Sequence, residues 1–203
     1  MLNFPEERGL NMNYDLLQAL RELYLIREDS LAKEFNRSLS FADAILDNRW
    51  TRAKKLGFSQ GVSIYDSALV YGDVEIGEQT WIGPNVILDG TGGGIKVGSF
   101  CSIAAGVHIY THDTVLWAVS GGKAPFRKSP VKVGDCCHIG AQAIILPGVE
   151  IGGTSVVAAN SLVNKDVPNN SVVAGSPARI IGRVDGSGAD IQLHIDGPIY
   201  DPL

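Results

Sequence analysis

The residues of this chain best suited to chemistry near neutral pH are four histidines and three cysteines. An imidazole gains and loses its proton near neutral pH, so each histidine is a candidate general base or metal ligand. The cysteines, Cys101, Cys136 and Cys137, form no CxxC pair and have no zinc-site spacing, and their odd number is typical of reduced thiols. The histidines are therefore the first candidates for catalysis, and the elements that hold them decide which one is used.

The composition predicts a folded cytoplasmic protein with one sizeable core. The chain has 203 residues, of which 45% are hydrophobic and 19% charged, with a formal net charge of −5. The apolar fraction excludes a disordered chain, and no apolar run reaches the roughly 18 residues of a membrane span. An acidic chain without a basic block is a poor binder of nucleic acid. The acidic N-terminal segment MLNFPEERGL is unlike a signal peptide.

Two unlike parts follow each other along the chain. Residues 1–60 carry dense charge and apolar residues at helical spacing, with a capping-box-like helix start at Ser40 and a stop at Gly57. Residues 61–184 lose this periodicity and gain Gly, Val and Ile. Residues 185–203 are typical of a loop-like tail. We expect an α-helical cap, a repetitive β domain and a tail that covers its far end.

An aliphatic residue recurs at every sixth position of the second part. These anchors are Ile64, Val70, Ile76, Ile82, Leu88, Val97, Ile103, Ile109, Val133, Ile139, Ile145, Ile151, Val157 and Val163. A small or β-branched residue stands four positions after almost every anchor. Each hexad predicts a short strand and a turn of about 120°, so that about 18 residues form one triangular coil of a parallel β solenoid.

The repeat is interrupted twice, and the longer interruption is where we expect the chemistry. A short Gly-rich insertion follows Leu88, and Ile109 is followed by Tyr-Thr-His-Asp and then by about 18 residues that fit no hexad. Residues from about 113 to 130 are therefore expected to form an extruded loop. His112 stands at the root of that loop.

The hexads resemble those of the hexapeptide-repeat acyltransferases, whose fold is a left-handed parallel β-helix. The most specific stretch spans residues 139–182 and ends in AGSPARIIG, which is similar to the AGxPAxxI ending of the sugar-acetyltransferase branch, the galactoside and maltose acetyltransferases. The resemblance implies a mainly β fold, acetyl-CoA as acyl donor, and a homotrimer with active sites between subunits. The left-handed winding is itself implied only by the resemblance.

The resemblance assigns His112 as the catalytic residue. Members of the family extrude a loop at a coil corner, with the catalytic histidine at its base. His112 would act as a general base on the acceptor hydroxyl or amine, and direct transfer from the activated thioester needs no covalent intermediate. Backbone N–H groups would hold the oxyanion. His108 is the alternative base.

The resemblance also implies cofactor-binding residues. CoA carries several phosphates, so an acidic protein needs local cations. The family holds the nucleotide end at the last coil, where this chain has Lys165, Arg179 and Arg183, with Asn164 beside them. Ala141 and Ala159 would line the pantetheine arm. Each basic residue is equally well explained as a solvated surface charge.

The acceptor side is expected to involve Asn85 and the extruded loop. Asn85 matches a substrate-binding asparagine of the sugar-acetylating relatives, although it is also an ordinary turn residue. Trp117, Lys123 and Arg127 could hold a sugar or a nucleotide phosphate, or could pack on a neighbouring subunit. The loop is longer than in the galactoside enzymes, which favours acceptors from surface-polysaccharide or nucleotide-sugar pathways.

Two other classes of function stay open. One is the same fold acting on a non-sugar acceptor such as serine or an antibiotic. The other is a scaffold solenoid, or a zinc protein like the carbonic-anhydrase-like relatives, in which His108, His112 and His138 converge across subunits. We expect no metal, and we expect Cys101 and Cys137 to pack in the core with Cys136 facing outward.

Overall fold

The computed structural model describes residues 14–196, which form two compact units, residues 14–48 and 49–196. The helices are α1 (Tyr14–Phe35), α2 (Phe41–Ile45), α3 (Arg49–Lys55) and α4 (Val115–Val119), with a short 3₁₀ helix at Gly188–Asp190. Among residues 14–196, no helix has the length and apolar character that a membrane crossing requires.

Seventeen short strands follow one another in the second unit. They are β1 (Ser63–Ile64), β2 (Leu69–Ile76), β3 (Trp81–Ile82), β4 (Ile87–Val97), β5 (Ser102–Ile103), β6 (His108–Tyr110), β7 (His112–Asp113), β8 (Arg127–Lys128), β9 (Val131–Val133), β10 (His138–Ile139), β11 (Ile144–Ile145), β12 (Glu150–Ile151), β13 (Val156–Val157), β14 (Leu162–Val163), β15 (Ser171–Gly175), β16 (Ala178–Asp185) and β17 (Gln192–Ile195).

The first unit is a pair of helices. Ser40 caps α2, because its side chain accepts a hydrogen bond from the backbone N–H of Asp43. The Tyr24 and Phe41 rings lie 5.6 Å apart, and the Tyr24 hydroxyl donates to the carbonyl of Leu39. The single helix expected between Ser40 and Gly57 is therefore wrong in one respect: α2 ends at Ile45 and a separate helix begins at Arg49.

Helix α3 belongs to the second unit and packs on the first coil. Ala53 is buried in the same core as Ile64. The guanidinium of Arg52 donates to the carbonyl oxygens of Tyr65 and Ala68 and lies 3.4 Å from an Asp66 carboxylate oxygen. The first coil has no further coil stacked on its outer side. Helix α3 takes that place: Ala53 covers its apolar core, and Arg52 binds its free backbone carbonyl groups.

The second unit is a three-sided parallel β-helix. Face 1 stacks β1, β3, β5, β10, β13 and β15; face 2 stacks the first halves of β2 and β4 with β6, β11 and β14; face 3 stacks the second halves of β2 and β4 with β9 and β12. Anchor pairs with anchor throughout, as Ile139 does with Val157. The left-handed parallel β-helix predicted from the hexads and the resemblance is confirmed.

The anchors form the core. All of them except Val70 are buried, and the interior is completed by the small and β-branched residues four positions later, such as Ala68, Val107 and Ala143. Val70 is only half-buried because it lies in the first coil of face 2 and pairs on one side only, with Leu88.

Three corners join the faces: corner A follows each anchor of face 1, corner B each anchor of face 2, and corner C each anchor of face 3. Regular turns place a residue with positive φ three positions after the anchor, for example Gln142 at corner A and Asn170 at corner C. Both interruptions of the repeat leave the solenoid at corner B, after Leu88 and after Ile109, and the strands on either side stay in register.

Residues 185–196 differ from the expected loop-like tail, and residues 197–203 of that tail lie outside the described residues. Strand β16 turns back and pairs antiparallel with β15, and β17 pairs antiparallel with β16 through residues 192–195. The segment after Val184 is therefore partly a strand, because its backbone completes the open edge of β16.

Candidate active site

His112 lies at corner B, at the base of the long excursion. Its strand β7 pairs antiparallel with β8, so that His112 is opposite Lys128. The N–H of Ser129 donates to the carbonyl of Thr111 at 2.8 Å, which closes the excursion where it returns to the solenoid. The imidazole keeps 27% of its side-chain surface exposed and is therefore accessible to a substrate.

Two residues of the Gly-rich insertion stand next to His112. The hydroxyl of Thr91 is 3.2 Å from His112 Nδ1 and 2.6 Å from Asp89 Oδ1. Asp89 Oδ1 is itself 3.7 Å from His112 Nδ1, and its side chain is only 16% exposed. The sequence reasoning missed both residues. The signal that could have found them is that both interruptions follow anchors of the same face.

The excursion carries the aromatic and basic residues predicted for the acceptor. Trp117, on α4, meets Phe126 edge-to-face with 5.6 Å between ring centroids. Arg127 Nε is 3.5 Å from Asp113 Oδ2, next to His112 in sequence. Lys123 is exposed, and its backbone N–H donates to the Ser120 hydroxyl. These residues belong to the excursion that begins at His112, and Arg127 lies in β8, the strand paired with the strand of His112.

A second group of predicted residues lies further along the same corner. Asn164, Lys165 and Arg179 line a cavity of about 330 Å³ between the last turn of corner B and the start of β16. His112 and Lys165 follow the anchors Ile109 and Val163, which are two coils apart, about 10 Å along the solenoid at the spacing of neighbouring strands. The cations and the imidazole are therefore aligned along one edge.

Arg183 is not among the residues that line this cavity. An extra residue in β16 shifts the register, so that Arg179 pairs with Ala174 whereas Arg183 pairs with Ser171. Paired residues project to the same side of a sheet, and Ala174 and Ser171 alternate to opposite sides. The Arg183 guanidinium instead lies 2.8 Å from Asp185 Oδ2.

The remaining predicted residues lie at corner A. Ala141 and Ala159 occupy equivalent turns of neighbouring coils, and the carbonyl of Ala141 accepts from the N–H of Asn160. Asn85 takes the positive-φ position of an earlier turn at that corner. One strand of face 2, about 13 Å of extended backbone, separates corner A from corner B. A single chain therefore does not bring Asn85, Ala141 or Ala159 to His112.

The other histidines have different surroundings. His108 lies half-buried on the outer side of face 2, with Nδ1 3.3 Å from the Tyr110 hydroxyl. His138 is exposed on face 1, and His194 Nε2 is 3.2 Å from Asp185 Oδ2. Within residues 14–196 of one chain, no three His, Cys, Asp or Glu side chains approach as a set of metal ligands.

Two of the three cysteines belong to a polar column inside corner C. Cys101 and Cys137 are buried in successive coils, and their thiols donate to the carbonyl oxygens of Gly134 and Gly152. A hydrogen bond with Cys137 and burial raise the pKa of the Cys101 thiol far above its usual range. Cys136 is exposed in a positive-φ turn.

We predict that one thiol of the native protein reacts quickly with a thiol reagent, because only a deprotonated, accessible sulfur is nucleophilic. Titration of the native chain should modify Cys136 alone, and denaturant should release all three thiols. Cys136→Ser should abolish the fast phase. Fast modification of Cys101 in the native protein would contradict the burial described above.

The comparisons with known proteins agree with this architecture. The family model for the hexapeptide repeat of succinyl-transferase matches residues 73–111 and 130–165. The galactoside O-acetyltransferase of Escherichia coli (strain K12) is 30% identical over 78% of this chain and 70% of its own length. Serine acetyltransferase 4 of Arabidopsis thaliana is 37% identical over 61% of this chain. The chain spans only 28–33% of the length of the first curated relatives that it matches.

Solved structures are similar over most of the chain. A hexapeptide-repeat acetyltransferase of Vibrio cholerae O1 biovar eltor, complexed with acetyl-CoA, has a TM-score of 0.54 and 31% identity over 82% of this chain and 87% of its own. The N-acyltransferase AntD of Bacillus cereus, in complex with dTDP and 3-hydroxybutyryl-CoA, has a TM-score of 0.53 and 25% identity over 64% of this chain and 86% of its own. The chain belongs to the hexapeptide-repeat acyltransferase family.

Proposed function

We propose that the protein is an acetyltransferase that moves the acetyl group of acetyl-CoA to a hydroxyl or amino group of a sugar. The observation that carries this proposal is the accessible imidazole of His112 at the root of the excursion, beside the half-buried carboxylate of Asp89. An imidazole at such a position is suited to accept a proton near neutral pH. The proposal places the protein in the cytoplasm, where acetyl-CoA is available.

His112 would act through Nε2. It takes the proton of the acceptor O–H or N–H group as that atom attacks the thioester carbonyl. The new bond to the acetyl carbon forms, the C–S bond breaks, and the CoA sulfur takes the proton back from the imidazolium. Asp89, 3.7 Å from Nδ1, stabilises the positive charge while the proton is on the ring.

The donor would be held along corner B. Lys165 and Arg179 offer cations to phosphate groups, and Asn164 offers an amide in the same cavity. The cavity and His112 lie on one edge of the solenoid, so a donor whose phosphates occupy the cavity can extend its acyl group toward the imidazole. Arg183 faces the other side of β16, so any contact it makes with the donor lies outside this cavity.

A complete site requires two copies of the chain. Ala141 and Ala159, which the resemblance assigns to the pantetheine arm, lie at corner A, one face away from His112. In a trimer, corner A of one copy can meet corner B of the next. Asn85 would then reach the acceptor side from corner A of the neighbour. We therefore propose a homotrimer with its sites between subunits.

The outer surfaces of the faces support association through face 2. On face 3 the outward residues before the anchors are charged: Glu75, Lys96, Lys132 and Glu150. On face 2 the corresponding residues are Leu69, Ile87, His108, Ile144 and Leu162. Four of these five residues are apolar, and a largely apolar column on an outer face is typical of an interface. This face also lies between the two corners that a shared site must bring together.

The side chains of the excursion favour an acceptor substrate that has both a sugar or base ring and a negative charge. Trp117 and Phe126 offer aromatic faces, and Arg127 and Lys128 offer cations on the strand paired with that of His112. Lys123 adds an exposed cation on the same excursion. A galactoside O-acetyltransferase and an N-acyltransferase complexed with dTDP are among the relatives described above. We propose a sugar of a surface-polysaccharide or nucleotide-sugar pathway as the acceptor.

The experiment is an incubation of the protein with acetyl-CoA and a panel of free sugars, nucleotide-linked sugars and serine, followed by mass spectrometry of the products. Acetylation of a sugar supports the proposal, and a nucleotide-linked sugar as best acceptor supports its finer form. Acetylation of serine alone would move the protein to the non-sugar alternative. Metal analysis of the purified protein, with one zinc per site and no transfer, would favour the carbonic-anhydrase-like alternative.

A further inference from the structure

We propose that Thr91 is a positioning residue that fixes the tautomer of His112. This inference rests on the proposed function, in which His112 Nε2 is the base. Thr91 Oγ1 lies 2.6 Å from Asp89 Oδ1 and 3.2 Å from His112 Nδ1, whereas the carboxylate and the ring nitrogen are 3.7 Å apart. The last distance is too long for a direct hydrogen bond, so the hydroxyl connects the two groups.

The direction of each hydrogen bond follows from the donors available. An ionised carboxylate only accepts, so the single proton of the Thr91 hydroxyl points at Asp89 Oδ1. The backbone N–H of Thr91 donates to the same oxygen at 3.1 Å, which holds the carboxylate in place. Thr91 Oγ1 therefore presents a lone pair to His112, and Nδ1 must carry the proton. The neutral ring then has its free lone pair on Nε2, as a general base requires.

The insertion is held rigidly against His112. The buried hydroxyl of Thr111 donates to the carbonyl of Asp89 at 2.6 Å and accepts from the N–H of Gly92 at 2.8 Å. A Cβ at position 92 would lie 2.1 Å from the carbonyl oxygen of Thr111 and 2.8 Å from the Cβ of His112. Only glycine permits this approach, and it brings Thr91 next to the ring.

Thr91 neither gives nor takes a proton during the proposed transfer. During transfer the acceptor proton moves to Nε2 and later to the CoA sulfur. The Nδ1 proton stays where Thr91 accepts it, and the carboxylate stays ionised. Thr91 acts through His112 by holding the ring in one tautomer and one orientation, so its removal should lower turnover and leave the binding of CoA unchanged.

The test compares Thr91→Val, which removes the hydroxyl, with Thr91→Ser, which keeps it. ¹⁵N NMR of the histidine rings, assigned with His112→Gln, reads the tautomer at a pH where the ring is neutral. We expect the Nδ1–H tautomer of His112 in the wild type and in Thr91→Ser, and its loss in Thr91→Val. With a sugar acceptor, Thr91→Val should lower kcat about tenfold, with KM for acetyl-CoA unchanged and the serine variant restoring activity.

The tautomer is measured on the protein without substrates. If no acceptor is turned over but the tautomer depends on the hydroxyl, the proposed function fails and the positioning role stands. An unchanged tautomer in Thr91→Val, or a serine variant that behaves like valine, would overturn the positioning role even in an active enzyme. Thr91 is exposed, so neither variant is expected to lower the thermal midpoint of unfolding.

Discussion

His112→Ala is expected to lower turnover about 10²- to 10⁴-fold, the range that a positioned general base contributes. The substitution removes the only imidazole that stands both at the root of the excursion and beside the carboxylate of Asp89 among the described residues. Binding of CoA should be unaffected, because Lys165 and Arg179 lie about two coils away along the same corner. Steady-state kinetics with a sugar acceptor and calorimetric titration with CoA measure the two effects separately.

His108→Ala and His138→Ala are the matched controls, since both remove an outward imidazole from the same β-helix. Each should keep more than half of the wild-type turnover if His112 is the base. A collapse of activity in His108→Ala with normal turnover in His112→Ala would show that the base had been misassigned. Far-UV circular dichroism would show that the coils are intact in all three variants.

Ile144→Glu is expected to convert the proposed trimer into monomers and to abolish the proposed transfer. Ile144 lies between His108 and Leu162 in the largely apolar outward column of face 2, and a carboxylate there would be buried against a neighbouring subunit of the trimer without a partner. The trimer would carry three such charges, one in each of its equivalent interfaces, and an unpaired buried ion costs on the order of several kcal/mol. Light scattering measures the mass, and the loss of the shared site removes the activity.

Val156→Glu is the matched control because it introduces the same carboxylate at the equivalent outward position on face 1. It should leave the mass and the turnover near the wild-type values. If Ile144→Glu stayed trimeric and active, face 2 would not be the interface. If Val156→Glu dissociated as well, the effect of Ile144→Glu would reflect a general weakening of the solenoid.

The repeat was predictable because every coil obeys the same local rule. An anchor such as Ile139 must pack on Val157 above it and Ile103 below it, so the period of the apolar residues specifies the stack. The thiols of Cys101 and Cys137 were assigned to the interior by the same rule and are buried. Local spacing also predicted the cap at Ser40.

Features that lie outside the hexad repeat could not be predicted from its spacing. The contact of Thr91 with His112 depends on two interruptions that leave the solenoid at the same corner, and their shapes are set by contacts between segments about 20 residues apart. The direction of Arg183 depends on one extra residue in β16, which no hexad counts. The placement of Asn85 depends on which corner its turn occupies, and the family motif alone does not show that.

The most direct test of the proposed acetyltransferase site between subunits is complementation between two variants that should each be inactive, His112→Ala and Ala159→Trp. The first lacks the base at corner B, and the second blocks the pantetheine path at corner A. Each alone should transfer no measurable acetyl group to the sugar acceptor. Asn169→Trp, with the same indole at the equivalent turn of corner C, is the control and should stay active.

Co-refolded in equal amounts, the two variants should recover about a quarter of the wild-type activity, because a random mixture of symmetric trimers pairs an intact corner A with an intact corner B at that frequency. Recovery near this level is expected if His112 of one subunit and Ala159 of its neighbour belong to one site. Mixed trimers that form and remain inactive, while Asn169→Trp is active, would show that His112 and Ala159 do not meet across subunits, and the proposed site would be contradicted.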